Sequence, residues 1–146
     1  MASLSQRAYQ IGKQQIGVAE IPGDADNPQI IEYDKCVDLD PAEYGDNTSW
    51  CSAAHNYCHQ QAGGRGTRNA MARSWLHWGK KVATPQEGDT VVLWRNSPTS
   101  ELGHVGFFVK QDLLFVYIMG GNQNNSYNIS KYPRFRVLGY RRSLDG

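Results

Sequence analysis

The sequence predicts an α+β domain, with N-terminal helices packed on a C-terminal antiparallel sheet of about five strands. Two observations carry this expectation. Apolar residues of the first half recur at helical spacing, whereas those of the second half fall in short runs rich in Val, Phe, Tyr and Ile between turn residues. Helices followed by closely spaced strands segregate into an α+β arrangement rather than an alternating one. The 146 residues suffice for one hydrophobic core, so residues 1–146 are expected to form a single domain.

The elements follow in order. Ser3-Leu4-Ser5-Gln6 fits a capping box, and Leu4, Ala8 and Ile11 carry a helix toward Gly17. Ile21-Pro22-Gly23-Asp24 reads as a turn, Gln29–Cys36 as a short helix, and residues 38–49 as an irregular acidic segment. Cys51–Ala62 reads as a helix capped by Thr48 or Ser49 and stopped by Gly63-Gly64. Thr67 could cap a further helix, on which Met71, Trp75 and Trp78 would face the core. The turn Pro85–Asp89 then enters five strands: Thr90–Arg95, His104–Lys110, Leu113–Gly120, Ser126–Tyr132 and Arg136–Arg142.

Composition excludes several classes. Apolar residues are 40% and charged residues 20% of the chain, as in ordinary globular domains rather than disordered ones. The formal charge of +1 offers no field for nucleic acid, and none is expected as partner. No apolar run approaches the roughly 18–20 residues of a membrane span, so no membrane insertion is expected. Residues 1–15 hold no apolar signal region, which predicts synthesis in the cytoplasm without a signal peptide. Charge is unevenly spread: nine acids and one base lie between Glu20 and Asp46, and the remainder is basic.

Three cysteines, Cys36, Cys51 and Cys58, cannot all pair, and free thiols are the default without a secretion signal. Cys51 stands at the start of a predicted helix, where unpaired N–H groups and the helix dipole favour a thiolate. Cys58, at mid-helix, reads as a packed cysteine. His104 opens a strand within Gly103-His104-Val105-Gly106. Alone it reads as a half-buried strand histidine; with Cys51 it becomes a base for thiol chemistry. If the strands around 104–110 and 113–120 pair as a hairpin, Asn122 lies near His104 and can accept from its ring N–H. Asn in Gly120-Gly121-Asn122 is otherwise plain turn chemistry. Tyr44, Asp46 and Asn47, just ahead of Cys51, are candidates for substrate binding, and Trp50 and Trp94 for lining a groove.

No metal or other cofactor is expected. Cys51, His55 and Cys58 or His59 share a helix face, but they span about 10–12 Å of axis, too far to converge on one zinc ion. One of the two histidines is expected to pack and the other to be solvated. Asp38, Asp40 and Asp46 lack a regular calcium-ligand spacing.

Trp50-Cys51-Ser52-Ala53, Ala70-Met71-Ala72-Arg73-Ser74-Trp75, Pro85–Asp89, Gly103-His104-Val105-Gly106 and Gly121-Asn122-Gln123 occur in an order and spacing similar to the CHAP superfamily. These are cysteine, histidine-dependent amidohydrolases and peptidases, and the chain resembles the small phage and bacterial lysin-like proteins among them. The resemblance runs from about Gly17 to Arg142. It implies a papain-like fold, a single catalytic domain, and hydrolysis of an amide bond in peptidoglycan by a stem-peptide endopeptidase or an N-acetylmuramoyl-L-alanine amidase. On that match Cys51 is the nucleophile, His104 the base and Asn122 the third member. It also implies a monomeric, endolysin-like protein of a bacterial host that reaches the wall after release or secretion. The alternatives are a non-catalytic wall-binding or virion structural protein of the same fold, or an acyltransferase.

Overall fold

The computed structural model describes residues 1–23, 25–45 and 49–146. Three α-helices come first: α1 (Leu4–Gln15), α2 (Pro28–Asp34) and α3 (Cys51–Gln61). Ser3 caps α1 as expected: its Oγ accepts from the Gln6 N–H, and the Gln6 side chain accepts from the Ser3 N–H. Asn27 and Pro28 start α2, where the Asn27 side chain accepts from the Gln29 N–H. Ser49 does not cap α3. Trp50 is its cap residue and makes no side-chain cap bond; Thr48 lies outside the described residues. The segment after Thr67 forms a 3-10 helix over Ala72–His77 rather than an α-helix.

The sheet has six strands: β1 (Lys80–Val82), β2 (Thr90–Trp94), β3 (Gly103–Gln111), β4 (Phe115–Gln123), β5 (Ser126–Pro133) and β6 (Val137–Arg142). Their order is β1-β6-β2-β3-β4-β5, antiparallel throughout. The expectation of about five strands misses β1, which is only three residues long and pairs across the chain with β6. A two-residue turn, Asn124-Asn125, joins β4 to β5; both residues have positive φ, as a type I′ turn requires.

The helices cover one face of the sheet. Ala8, Ile30, Tyr33, Ala53, Ala54 and Cys58 pack there with Phe107, Met119 and Tyr127. On the other face Val91, Leu93, Phe108, Val116 and Ile118 form a second core, closed by Tyr132, Val137 and Tyr140 of the sheet itself. Two-sided burial of this kind explains why β2 is a continuous apolar run without alternation. Close approach of α3 to β4 depends on Gly121: a Cβ there would come within 2.5 Å of the Trp50 ring and 3.0 Å of Ala54. That approach sets the first turn of α3 against the ends of β3 and β4. No helix is long and apolar enough to cross a membrane among the described residues.

Candidate active site

Cys51 is 3% exposed at the start of α3. Burial alone would raise its pKa. A hydrogen bond and charge interaction with His104 outweigh it, with help from the Val105 N–H and the Ser49 hydroxyl, so the thiol titrates below its ordinary value. The other two cysteines show what happens without these partners. Burial, first of all, pushes Cys58 up to about 12 and also raises Cys36. All three are free thiols. Sequence position separated Cys51 from Cys58, and the structure puts the histidine beside the former.

His104, 6% exposed, is held at the start of β3. Its Nε2 lies 2.9 Å from Gln123 Oε1 and 3.4 Å from the Tyr132 hydroxyl. The Gln123 amide is fixed by its other end: Nε2 donates to the Asn128 carbonyl (2.8 Å), Asn128 Oδ1 (3.0 Å) and the Ile118 carbonyl (3.2 Å). With every one of those partners an acceptor, the amide oxygen must be the atom that faces His104. The imidazole therefore carries its proton on Nε2, and Nδ1 is the ring nitrogen left for the thiol. Asn128 is braced in turn by Ser126 and Ser130.

The residue expected at His104 was Asn122, and the contact belongs to Gln123. Carrying the Phe107↔Met119 register outward would indeed set Asn122 opposite His104. But Asn122 adopts φ 58° and the β4–β5 register breaks between Gly120 and Gln123. This irregularity shifts the side-chain alternation by one residue. Asn122 instead donates to Ser49 Oγ at 3.2 Å, and so touches the segment that leads into Cys51. The only hint in the sequence was the pair Gly120-Gly121 followed by two residues with the same amide.

The other candidates scatter. Trp50 is fully buried, donates to Glu20 Oε2 at 3.0 Å and stacks on Tyr33. It is a core residue, not a groove wall, because the close packing of α3 on Gly121 takes up its ring. Tyr44 is half-buried after the 3-10 turn Pro41–Glu43. Asp46 and Asn47 lie outside the described residues. Met71, expected in the core, is 47% exposed beside Cys51.

Two hollows lie on either side of the thiol–imidazole pair, one lined by His104 and the other by Cys51; they share Arg95 and count as two lobes of one cleft. One, about 370 Å³, is lined by His104, Asn122, Gln123, Asn124, Asn125, Tyr132, Arg95 and Arg136. The other, about 350 Å³, is lined by Ser49, Cys51, Ala70, Met71, Ala72, Glu101, Leu102 and Gly103, with Arg95 between them. A larger hollow, about 650 Å³ between α1 and the Gln86–Glu87 turn, is remote from this chemistry.

His55 and His59 are both buried, against the expectation that one is solvated. His55 Nε2 lies 2.8 Å from Thr90 Oγ1, and His59 Nδ1 donates to the His55 carbonyl. Trp75, Trp78 and Phe107 enclose the rings. Among the described residues no three His, Cys, Asp or Glu side chains converge as a metal would require.

Neither a protein-family model nor a curated protein matches the chain. Solved structures do. A Staphylococcus aureus protein described as similar to an NLP/P60-family lipoprotein superposes with a TM-score of 0.57 at 12% identity, covering 98% of this chain and 42% of that one. RipA, the resuscitation promoting factor interacting protein, solved as a variant mutated at a histidine, gives 0.61 at 16% identity, covering 98% and 63%. The chain thus spans less than two thirds of either protein. What it shares with both is the fold: a papain-like α+β domain of helices packed on an antiparallel sheet.

Proposed function

We propose that the chain is a cysteine hydrolase of peptidoglycan amide bonds, of the endolysin-like type suggested by its resemblance to the CHAP superfamily. The observation that carries the reading is Cys51, whose thiol titrates low in spite of burial because His104 stabilises the charged form. A cysteine that only filled space would behave as Cys58 does. The fold shared with an NLP/P60-type lipoprotein and with RipA adds support.

In this mechanism the Cys51 thiolate attacks the amide carbonyl. N–H groups of the first turn of α3 receive the developing oxyanion, since the first N–H groups of a helix have no partner within it. His104 gives its proton to the departing amine, leaving an acyl-enzyme. It then takes a proton from water, which attacks the thioester and frees the acid. Gln123 holds the ring in the tautomer this needs and acts as a positioning residue. The scissile bond lies within the stem peptide or between muramic acid and L-alanine, and the place of action is the bacterial wall.

The test is digestion of purified sacculi with mass analysis of the fragments, run beside alkylation of Cys51. Wild-type protein should release soluble fragments with new amine ends, and Cys51→Ala should release none while keeping its fold. His104→Ala should lose activity as completely and should move the Cys51 alkylation profile to higher pH. Lysis that persists in Cys51→Ala overturns the reading.

A further inference from the structure

The two lobes of the cleft differ in which catalytic side chain they touch, and that difference assigns them. His104 must hand its proton to the leaving nitrogen, so the departing fragment lies on the imidazole side. The acyl fragment stays on Cys51 Sγ. The lobe lined by His104 but not Cys51 therefore receives the leaving fragment, and the lobe lined by Cys51 but not His104 holds the acyl fragment.

The leaving-fragment lobe is cationic. Arg95 and Arg136 line it, and every other lining side chain is neutral or is His104 itself. Neither arginine pairs with an acid among the described residues; the ion pairs there are Lys35–Glu32, Arg68–Asp38 and Arg142–Asp89. Arg136 is built into place. Its Nε and Nη2 donate to the Trp94 carbonyl at 3.1 and 3.0 Å, and its guanidinium lies over the Trp94 and Tyr132 rings at 5.6 and 5.8 Å. Arg95 is exposed, with no described side-chain hydrogen bond. Both charges reach the Tyr132 hydroxyl. Burial and the Cys51 charge push it up to about 12, and Arg136 and Arg95 pull the other way. Both guanidinium groups line a lobe whose other side chains carry no acid, and Arg136 keeps Nη1 outside its bonds to Trp94, so a carboxylate entering the lobe meets two positive charges and an unspent donor.

On the hydrolase reading above, we propose that this lobe binds a free carboxylate on the leaving fragment, so that the preferred substrate is an amide whose departing amine carries an unblocked acid group. Arg136 supplies a fixed donor and Arg95 a mobile one. The wall of the lobe formed by Asn124 and Asn125 follows from their tight turn, which presents neutral amides instead of acids that would compete.

Binding to the Cys51→Ala protein separates this proposal from turnover. Two probes, D-alanyl-D-alanine and meso-diaminopimelate, are each titrated beside their amides, with NMR shifts of the Trp94 indole as the readout. The acid form of at least one should bind roughly tenfold to a hundredfold more tightly than its amide, the range expected for a charge-assisted hydrogen bond. Arg136→Gln should bring acid and amide to within about twofold, and so should Arg95→Gln, whose exposed side chain has no packing role. Equal binding of acid and amide for both probes overturns the proposal, as does selectivity that survives both substitutions. Selective binding in a protein that leaves sacculi intact would sink the hydrolase reading and keep the carboxylate site. Digestion of sacculi without selective binding would do the reverse.

Discussion

Gln123 works because it is an amide and because both of its ends are engaged. Its NH₂ is committed to carbonyl oxygens of Ile118 and Asn128, which leaves only the oxygen for His104. An aspartate could not make the same bonds, since it would set a carboxylate against two carbonyls. A neutral partner also has no titration of its own, so the acid limb of activity belongs to the thiol–imidazole pair. Gln123→Ala should reduce kcat about 10–1000-fold, between the loss of an outer contact and that of a triad partner. It should also shift the pH profile of Cys51 alkylation, which a purely structural defect would not move. Asn122→Gly, which removes the bond to Ser49 while still allowing the left-handed backbone, should stay within a fewfold of wild type. Equal losses in the two variants would return the positioning role to Asn122. The amide's identity was legible in the sequence only as one of two neighbours. What decides between them is the left-handed backbone at Asn122, a local irregularity that residue type does not dictate.

Helix α3 carries Cys51 at one end and two buried histidines in its interior, and the second feature limits the first. Burial holds the His55 pKa well below the ordinary histidine value and brings His59 down to about 4. Above pH 6.5 both rings are neutral whether the chain is folded or not, and they cost nothing. As pH falls from 6.5 toward 4, the unfolded chain takes up protons that the folded one refuses, so stability is lost through that window. For His59 the loss between pH 6.5 and 5 is about 1–2 kcal/mol, and His55 adds to it in the same direction. Urea midpoints measured across this range should fall steeply for the wild type and less steeply for His59→Phe; parallel slopes would show that His59 is not the cause. At this scale α1, α2 and α3 were legible from caps, spacing and stops, and so were the strands rich in Val and Phe. The segment Ala72–His77 was not, because Trp75 and Trp78, three residues apart, fit a helix of either pitch. Nor was β1, because Lys80–Val82 has no alternating pattern and exists only through its pairing with β6.

The whole molecule is laced together by strand order. β6 follows β5 along the chain yet lies between β1 and β2, with Lys81↔Arg141 on one side and Thr90↔Arg141 on the other. The Asp89 carboxylate also receives Arg142 at 2.7 and 2.8 Å, so the turn that opens the sheet is tied to the strand that completes it. The hairpin tip between β3 and β4, in contrast, is open, with Leu113 86% and Leu114 66% exposed. A protease that nicks the chain there would cut the connection without releasing the parts. One fragment would hold Cys51, His104 and β1 to β3, the other Gln123 and β4 to β6, and the two would grip each other at three strand pairs, β1–β6, β6–β2 and β3–β4. The nicked protein should elute as one particle and remain active. Its fragments, parted in urea, should each be inert and should regain activity together at a rate that depends on the concentration of both. On the hydrolase proposal the two fragments divide one active site between them, and activity reports their meeting.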